Sequence, residues 1–299
     1  MLARLDHVIL AVADLDAAAR SYARLLGRSP SWRGEHPGAG TANALFRLEN
    51  TYLELLAAAG EGPLGAAVRG WIASRGEGPV GLAFGSDDVA ASREELAARG
   101  LEPGPLEKGM GRDVESGAFR EWVSAALPLA RTRGVLLFAI EHLSPAELLP
   151  IVPPLGDPAA AVYALDHAVV RTPDPEAARA LYGGGLGLRL ALDREFPQWG
   201  ARLLFFRVGD LTVEIAAELA APSAGGEAGA GRAPESGDRL WGLSWRVRDA
   251  DAARARLAAS GFDVSEVREG RRPGTRVLSV RDGTHGVPTL VLEPPGLGS

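Results

Sequence analysis

Four segments of the chain share one pattern of polar and apolar positions: an apolar stretch, an aspartate, then an alanine-rich run that ends at a glycine. An aspartate in front of a helix accepts hydrogen bonds from its first N–H groups, and a glycine suits the left-handed turn that ends it. Strand-like runs follow each of these helices. The pattern therefore predicts four strand–helix–strands units. The aspartates are Asp14, Asp88, Asp174 and Asp249, and the glycines are Gly27, Gly100, Gly187 and Gly261.

The chain also repeats itself at a constant spacing. The tripeptide Leu-Asp-His at residues 5–7 recurs at residues 165–167, and Glu54 recurs as Glu214, each 160 positions later. Self-similarity at a fixed offset is typical of a duplicated domain. We therefore expect two halves that superpose, with the two histidines and the two glutamates at equivalent places.

The composition between these repeats predicts the domain boundaries. We expect one half at residues 1–144 and the other at residues 161–299. Five prolines mark residues 145–160 as a linker between the halves. Residues 220–238, rich in Ala, Gly, Ser and Pro, are expected to form a flexible loop.

Composition and charge exclude several classes of protein. With 299 residues, 46% hydrophobic and 23% charged, the chain is typical of a globular protein with two domains. A net charge of −6 argues against a nucleic-acid partner, and the absence of cysteine excludes disulfides and thiolate metal ligands. Arg4 and Asp6 interrupt the first apolar stretch, and no uncharged run approaches the roughly 18 residues of a membrane span. We expect a cytoplasmic protein with no membrane contact.

Residues 5–18 resemble the opening strand and helix of a module of the vicinal oxygen chelate superfamily, which includes glyoxalase I, extradiol dioxygenases and bleomycin-resistance proteins. Residues 35–43, followed by residues 52–56, resemble a glyoxalase-like subfamily whose biochemistry is largely undefined. The resemblance implies an α+β fold of four βαβββ modules, paired into two halves that each curve around a cavity.

The resemblance also implies a site for a divalent metal, whether Zn, Fe, Mn, Ni or Mg. The family positions fall on His7 and Glu54 in the first half and on His167 and Glu214 in the second. The two remaining positions of each half carry no ligand, which disfavours a ring-cleaving dioxygenase. These positions are Gly81 and Phe138 in the first half, and Gly242 and Leu290 in the second.

Strand alternation gives an independent interpretation of His7 and Glu54. Successive side chains of a strand face opposite sides, and the continuously apolar face packs on helices, so His7 and Glu54 both face the concave side. A glutamate in so apolar a strand must be solvated, paired or bound to a cation. We expect a His7 nitrogen and a Glu54 oxygen within about 5 Å, with Glu54 also serving as a general base. A His–Glu hydrogen bond that only orders the sheet is the alternative.

The strand that opens the second module of each half distinguishes the two sites. Gly81, Ala83 and Gly85 are expected to leave a bare wall with room for a ligand in the first half. In the second half Arg246 would face the site, where its charge would pair with Glu214 and compete with a metal, unless it extends to water. The first half is therefore the expected working site.

Further residues are candidates for substrate binding, although turn and core roles remain open for them. His142 and His285 are not expected to be ligands. The substrate-binding candidates are His36, Asn43, Tyr52, Arg120 and Trp122.

Three functions are compatible with these residues. The first is a metal-dependent enzyme of lyase or isomerase type that chelates vicinal oxygens of a small substrate. The second is a metal-free protein that binds or sequesters a small molecule, of bleomycin-resistance type. The third is a structural pseudo-dimer with closed cavities. Because the fused halves supply the module pairing internally, we expect a monomer or a weak homodimer.

Overall fold

The computed structural model describes residues 2–219 and 237–296, and its elements form four βαβββ modules. The predicted α+β class with two paired halves is confirmed. Most of the predicted flexible loop, at residues 220–236, lies outside the described residues.

The first half is a closed barrel with two helices on its outer surface and a third over one end. Its elements are β1 (Arg4–Ala11), α1 (Leu15–Leu26), β2 (Trp32–His36), β3 (Thr41–Arg47), β4 (Tyr52–Ala58), α2 (Pro63–Arg75), β5 (Gly78–Gly85), α3 (Val89–Ala98), β6 (Glu107–Asp113), β7 (Phe119–Ala126) and β8 (Leu136–His142). The strand order is β1-β4-β3-β2-β6-β7-β8-β5, and β1 pairs with β5 to close the barrel. The closed barrel places the concave side of the sheet in its interior.

The second half repeats these modules, but its sheet stays open. Its elements are β9 (Ala164–Arg171), α4 (Pro175–Arg179), β10 (Arg189–Phe196), β11 (Ala201–Val208), β12 (Leu211–Glu218), β13 (Arg239–Arg246), α5 (Ala250–Ala259), β14 (Arg268–Glu269), β15 (Arg276–Val280) and β16 (Thr289–Glu293). In the described part of this half, β10 and the two-residue β14 are the sheet edges. In the first half, the equivalent strands β2 and β6 pair with each other.

The helix ends and the strand register confirm the duplication. Asp14 caps α1 by accepting a hydrogen bond from the Ala17 N–H, and the other three predicted aspartates cap their helices in the same way. Gly27 ends α1 in the left-handed conformation, with φ of 70°. His7 lies opposite Tyr52 between parallel strands, and His167 lies opposite Thr212, which preserves the offset of 160.

The alternation along β1 separates two apolar regions. Val8 and Leu10 pack outwards with α1 in the main core, which continues into the second half. Ile9 and Ala11 point into the barrel and pack with Val68 of α2. The helix α2 therefore fills the end of the barrel away from His7.

β1 and β9 share an irregularity that the alternation does not predict. The pairing of β1 with β5 skips Asp6, which lies between Leu5 and His7. β9 pairs with β13 in the same way and skips Asp166. Such an extra residue bends a strand and redirects its side chain. Each aspartate consequently lies against the ring of the histidine that follows it.

Polar contacts join the two halves. Arg256 of α5 donates hydrogen bonds to the carbonyl oxygens of Leu25 and Arg24 at the end of α1. Nδ1 of His285 lies 2.9 Å from Oε2 of Glu77, the residue that precedes β5. Residues 145–160 contact both halves: Arg28 donates to the Val152 carbonyl oxygen, and the Ala159 carbonyl oxygen accepts from the Asp249 N–H. Among the described residues, no helix is long and apolar enough to cross a bilayer.

Candidate functional site

His7 and Glu54 meet inside the first barrel. Nε2 of His7 lies 3.4 Å from Oε2 of Glu54, within the distance that the sequence predicts. Nδ1 of His7 donates to Asp6 at 2.8 Å, and Oε1 of Glu54 accepts a hydrogen bond from the Asn43 amide at 2.8 Å. Hydrogen bonds thus hold one polar atom of each side chain, and the other two, Nε2 of His7 and Oε2 of Glu54, face each other.

Asp6 is the residue of this site that the sequence pattern does not reveal. It is 5% exposed and accepts hydrogen bonds from both His7 and Nε2 of His142, the latter at 3.0 Å. Burial alone would raise the pKa of Asp6, but these two hydrogen bonds and the charges of the histidines lower it well below its usual range. The repeated Leu-Asp-His tripeptide is the signal that points to it.

Polar contacts continue from Glu54 to His36. Nδ2 of Asn43 lies 3.2 Å from Nε2 of His36, and Nδ1 of His36 lies 2.7 Å from the Thr41 hydroxyl. Burial lowers the pKa of His36; the charge of Glu54 opposes this shift and that of Arg120 adds to it. The barrel thus brings His36, Asn43 and Glu54 into one line of contacts.

Aromatic rings surround this line. The Tyr52 ring stacks on His7, with centroids 4.4 Å apart, and burial raises its pKa well above the usual value, with a further contribution from Asp6. Trp122 meets His36 edge-on at 5.7 Å. The Arg120 guanidinium lies 5.7 Å from the centroid of the Tyr52 ring. The five predicted substrate-binding residues therefore lie in one region of the barrel interior.

The strand next to His7, β5, does not leave the bare surface that the sequence predicts. A Cβ atom added to Gly81 would lie 2.7 Å from the Leu136 carbonyl oxygen and 2.9 Å from its Cβ. The Phe138 ring meets His7 edge-on at 5.7 Å. The backbone and side chain of Leu136 on β8 therefore occupy the space next to the glycine.

The second half repeats the His–Asp–Glu arrangement with one addition. Nδ1 of His167 donates to Asp166 at 2.8 Å, and its Nε2 lies 3.5 Å from Oε2 of Glu214. The same Nε2 lies 2.9 Å from the Ser244 hydroxyl. His167 therefore has a hydrogen-bonding partner that His7 does not share, because Ala83 occupies the equivalent place on β5.

The sequence predicts that Arg246 pairs with Glu214. The structure instead pairs Nε of Arg246 with Oδ1 of Asp166, at 2.6 Å. Its guanidinium reaches Asp166 because the irregularity in β9 redirects that carboxylate. Burial would raise the pKa of Asp166, but hydrogen bonds and charge from His167 and Arg246 lower it to about 2.

A cavity of about 610 Å³ opens in the second half, beside Gly242 and Leu290. Its walls are largely apolar and include the Trp241 ring and Val169. The cavity therefore occupies the place of the two ligand positions that the second half lacks. Ser244 also lines it and connects it to His167.

The donor atoms define what each site can hold. Because Nδ1 of His7 donates to a carboxylate, the neutral ring presents a lone pair at Nε2 towards the carboxylate of Glu54. Two lone pairs at this distance repel unless a proton or a cation lies between them. An imidazole nitrogen and a carboxylate oxygen are suitable ligands for a divalent metal. In the described residues, no three His, Asp or Glu side chains are grouped as a metal site.

Comparisons with known proteins cover both halves. Residues 5–158 match the model of a glyoxalase-like domain, and residues 166–278 match that of the glyoxalase/bleomycin resistance protein/dioxygenase superfamily. An ethylmalonyl-CoA/methylmalonyl-CoA epimerase of Cereibacter sphaeroides is 33% identical over 101 residues, which are 33% of this chain and 73% of the epimerase.

Two solved structures are similar over nearly the whole chain. A variant of 4-hydroxymandelate synthase from Streptomyces coelicolor has a TM-score of 0.67 at 15% identity and covers 97% of this chain and 92% of its own. A hypothetical protein from Staphylococcus aureus has a TM-score of 0.64 at 12% identity, over 96% of this chain and 98% of its own. At these identities the likeness shows the fold alone.

Proposed function

Since the chain belongs to the glyoxalase/bleomycin resistance/dioxygenase superfamily and contains two glyoxalase-like domains, we propose that it is a metal-dependent enzyme acting on a small molecule with vicinal oxygen atoms. The first half is the proposed working site. Lyase or isomerase chemistry is favoured over ring cleavage, because each half has two rather than four of the family's ligand positions filled.

The difference between Ala83 and Ser244 carries this assignment. In the second half the Ser244 hydroxyl occupies the lone pair of His167 Nε2. In the first half the equivalent residue has only a methyl group, so the His7 lone pair is available to a cation shared with Glu54. The fit to a divalent metal is therefore better in the first half, although two protein ligands predict weak binding.

The residues of the chain have separate roles in this proposal. A bound divalent metal would polarise a substrate carbonyl and stabilise an enolate. Asp6 fixes the ring and tautomer of His7, as hydrogen-bonded carboxylates do for many metal-binding histidines. Asn43 fixes one oxygen of Glu54, so that the other faces the reacting centre, where it would accept a substrate proton.

Replacement of Glu54 by Gln tests the proposal. The change removes the charge but keeps an oxygen that accepts the hydrogen bond from Asn43, so we expect a melting temperature close to that of the wild type. Zinc binding in isothermal titration calorimetry should be lost. Glu214→Gln is the matched control and should leave the zinc isotherm unchanged. An isotherm that survives Glu54→Gln and disappears in Glu214→Gln would move the site to the second half.

The cavity of the second half favours one alternative function. Its apolar walls and aromatic side chain suit a small hydrophobic or aromatic molecule that is bound without a metal. The chain would then be a binding or sequestering protein. If the wild type binds no zinc, either as purified or after treatment with a chelator, this alternative would be favoured over the enzyme.

A further inference from the structure

Arg120 is a buried cation without an anionic partner. It is 8% exposed and lies on β7 with its guanidinium facing the interior of the first barrel. In the described part of the chain, no carboxylate lies at ion-pair distance from it and no oxygen accepts a hydrogen bond from it. An isolated charge taken out of water costs free energy unless it is paired.

The buried Arg28 and the partly buried Arg256 both find backbone acceptors, although Nε of Arg28 has none. Arg28 donates to the carbonyl oxygens of Val152 and Val162. Arg256 likewise donates to carbonyl oxygens, including that of Leu25. The fold therefore supplies acceptors where an arginine has a structural role, and Arg120 differs from this pattern.

The aromatic surroundings of Arg120 compensate its charge only in part. Its guanidinium lies 5.6 Å from the Trp32 centroid and 5.7 Å from the Tyr52 centroid. At such distances the ring faces attract a cation but accept no conventional hydrogen bond from its N–H groups. The five donors of the guanidinium therefore remain available for a planar oxyanion.

A second polar atom in the same region has no partner. The Oδ1 atom of Asn43 is buried and accepts no hydrogen bond, whereas its Nδ2 contacts both Glu54 and His36. Burial lowers the pKa of His36, and the charge of Arg120 lowers it further. A cation with free donors and an unpaired acceptor thus lie in the same region as His36.

We propose that Arg120 binds the carboxylate of the substrate and that the Asn43 carbonyl accepts a hydrogen bond from a neighbouring hydroxyl or amine. This inference rests on the proposed function and adds to it the substrate class, which is a small hydroxy or amino carboxylic acid. The Tyr52 ring connects the two ends of the site, because it stacks on His7 and also lies beside Arg120. The carboxylate of the substrate would therefore be separated from the metal ligands by the Tyr52 ring.

The test compares lactate with lactamide, which has the same hydroxyl but no charge. The melting temperature of the full chain is measured in EDTA with each compound, at matched ionic strength. Lactate should raise the melting temperature of the wild type more than lactamide does, because a ligand that binds the folded state stabilises it. Equal effects of the two compounds would overturn the proposal.

Arg120→Met is the variant and Arg112→Met its control. Arg112 lies on the neighbouring strand with an exposed side chain, 3.8 Å from Glu35. The lactate shift should disappear in Arg120→Met and persist in Arg112→Met. Without ligand, Arg120→Met should melt at or above the wild-type temperature, because it removes an unpaired charge. A marked decrease or a failure to fold would assign Arg120 a structural role and refute the proposal.

The use of EDTA separates this inference from the metal proposal. A lactate shift that depends on Arg120 supports the carboxylate site even if the protein binds no zinc. Zinc binding that depends on Glu54, without any preference for lactate, leaves the metal proposal standing and refutes this one.

Discussion

Exchange of Ala83 and Ser244 between the halves should exchange their capacity to bind metal. Ala83→Ser places a hydroxyl opposite His7, as Ser244 lies opposite His167. The new hydroxyl would donate to Nε2 of His7 and occupy its lone pair. Ser244→Ala does the reverse and frees the lone pair of His167, which lies 3.5 Å from Glu214.

The size of the effect follows from one hydrogen bond. In the second half the bond is 2.9 Å long and involves a serine that is 1% exposed, so it is well formed and protected from water. A hydrogen bond of this kind contributes about 0.5–1.5 kcal/mol net. A cation must displace it before it binds, so we expect roughly a two- to ten-fold change in zinc affinity.

Isothermal titration calorimetry with zinc on the wild type, both single variants and the double variant measures these affinities. Ala83→Ser should weaken the wild-type site, and Ser244→Ala should add or strengthen a second one. Glu214→Gln combined with Ser244→Ala should remove that gain. Affinities that do not change in either single variant would show that the hydroxyl does not control access to the histidine, and the assignment of the first half would fail.

Two further predictions concern the aspartates. Asp6→Asn keeps an oxygen for His7 but loses the charge, so zinc affinity in the same titration should fall roughly 10- to 100-fold, whereas Asp166→Asn should leave it unchanged; equal effects would contradict the choice of half. The folded-state pKa of Asp166 is lowered from 3.8 to about 2, so its stabilisation is complete above the unfolded value and is lost as pH falls towards 2. Urea unfolding should show this loss, worth ~2 kcal/mol for Asp166, and Asp166→Asn should remove that part of the pH dependence; an unchanged profile would contradict it.

The sequence predicts those features that depend on local periodicity. Helix starts at Asp14 and its counterparts follow from capping chemistry, which involves only the next few residues. The shared face of His7 and Glu54 follows from alternation, because β1 and β4 pair in regular register from His7 onwards. The constant offset of the repeats was enough to predict the duplication.

The features that the sequence misses depend on neighbouring strands. Strict alternation puts Asp6 and His7 on opposite faces, and only the pairing with β5 shows that Asp6 is an extra residue. The sequence misses the partner of Arg246 for the same reason, since Asp166 is redirected in the same way. The space beside Gly81 is filled by Leu136, a residue distant in sequence, so its lack of room cannot be read from β5 alone.

The matching irregularities of β1 and β9 indicate that the Asp–His pair arose before the duplication. The extra residue precedes the histidine in both halves, and in both it is an aspartate that accepts a hydrogen bond from that ring. A single ancestral half that already carried the Asp–His pair accounts for this with one event, where separate origins require two. The two copies then diverged at the residue that faces the imidazole, alanine in one and serine in the other. The chain thus preserves, beside its proposed working site, a second descendant of the same ancestral site.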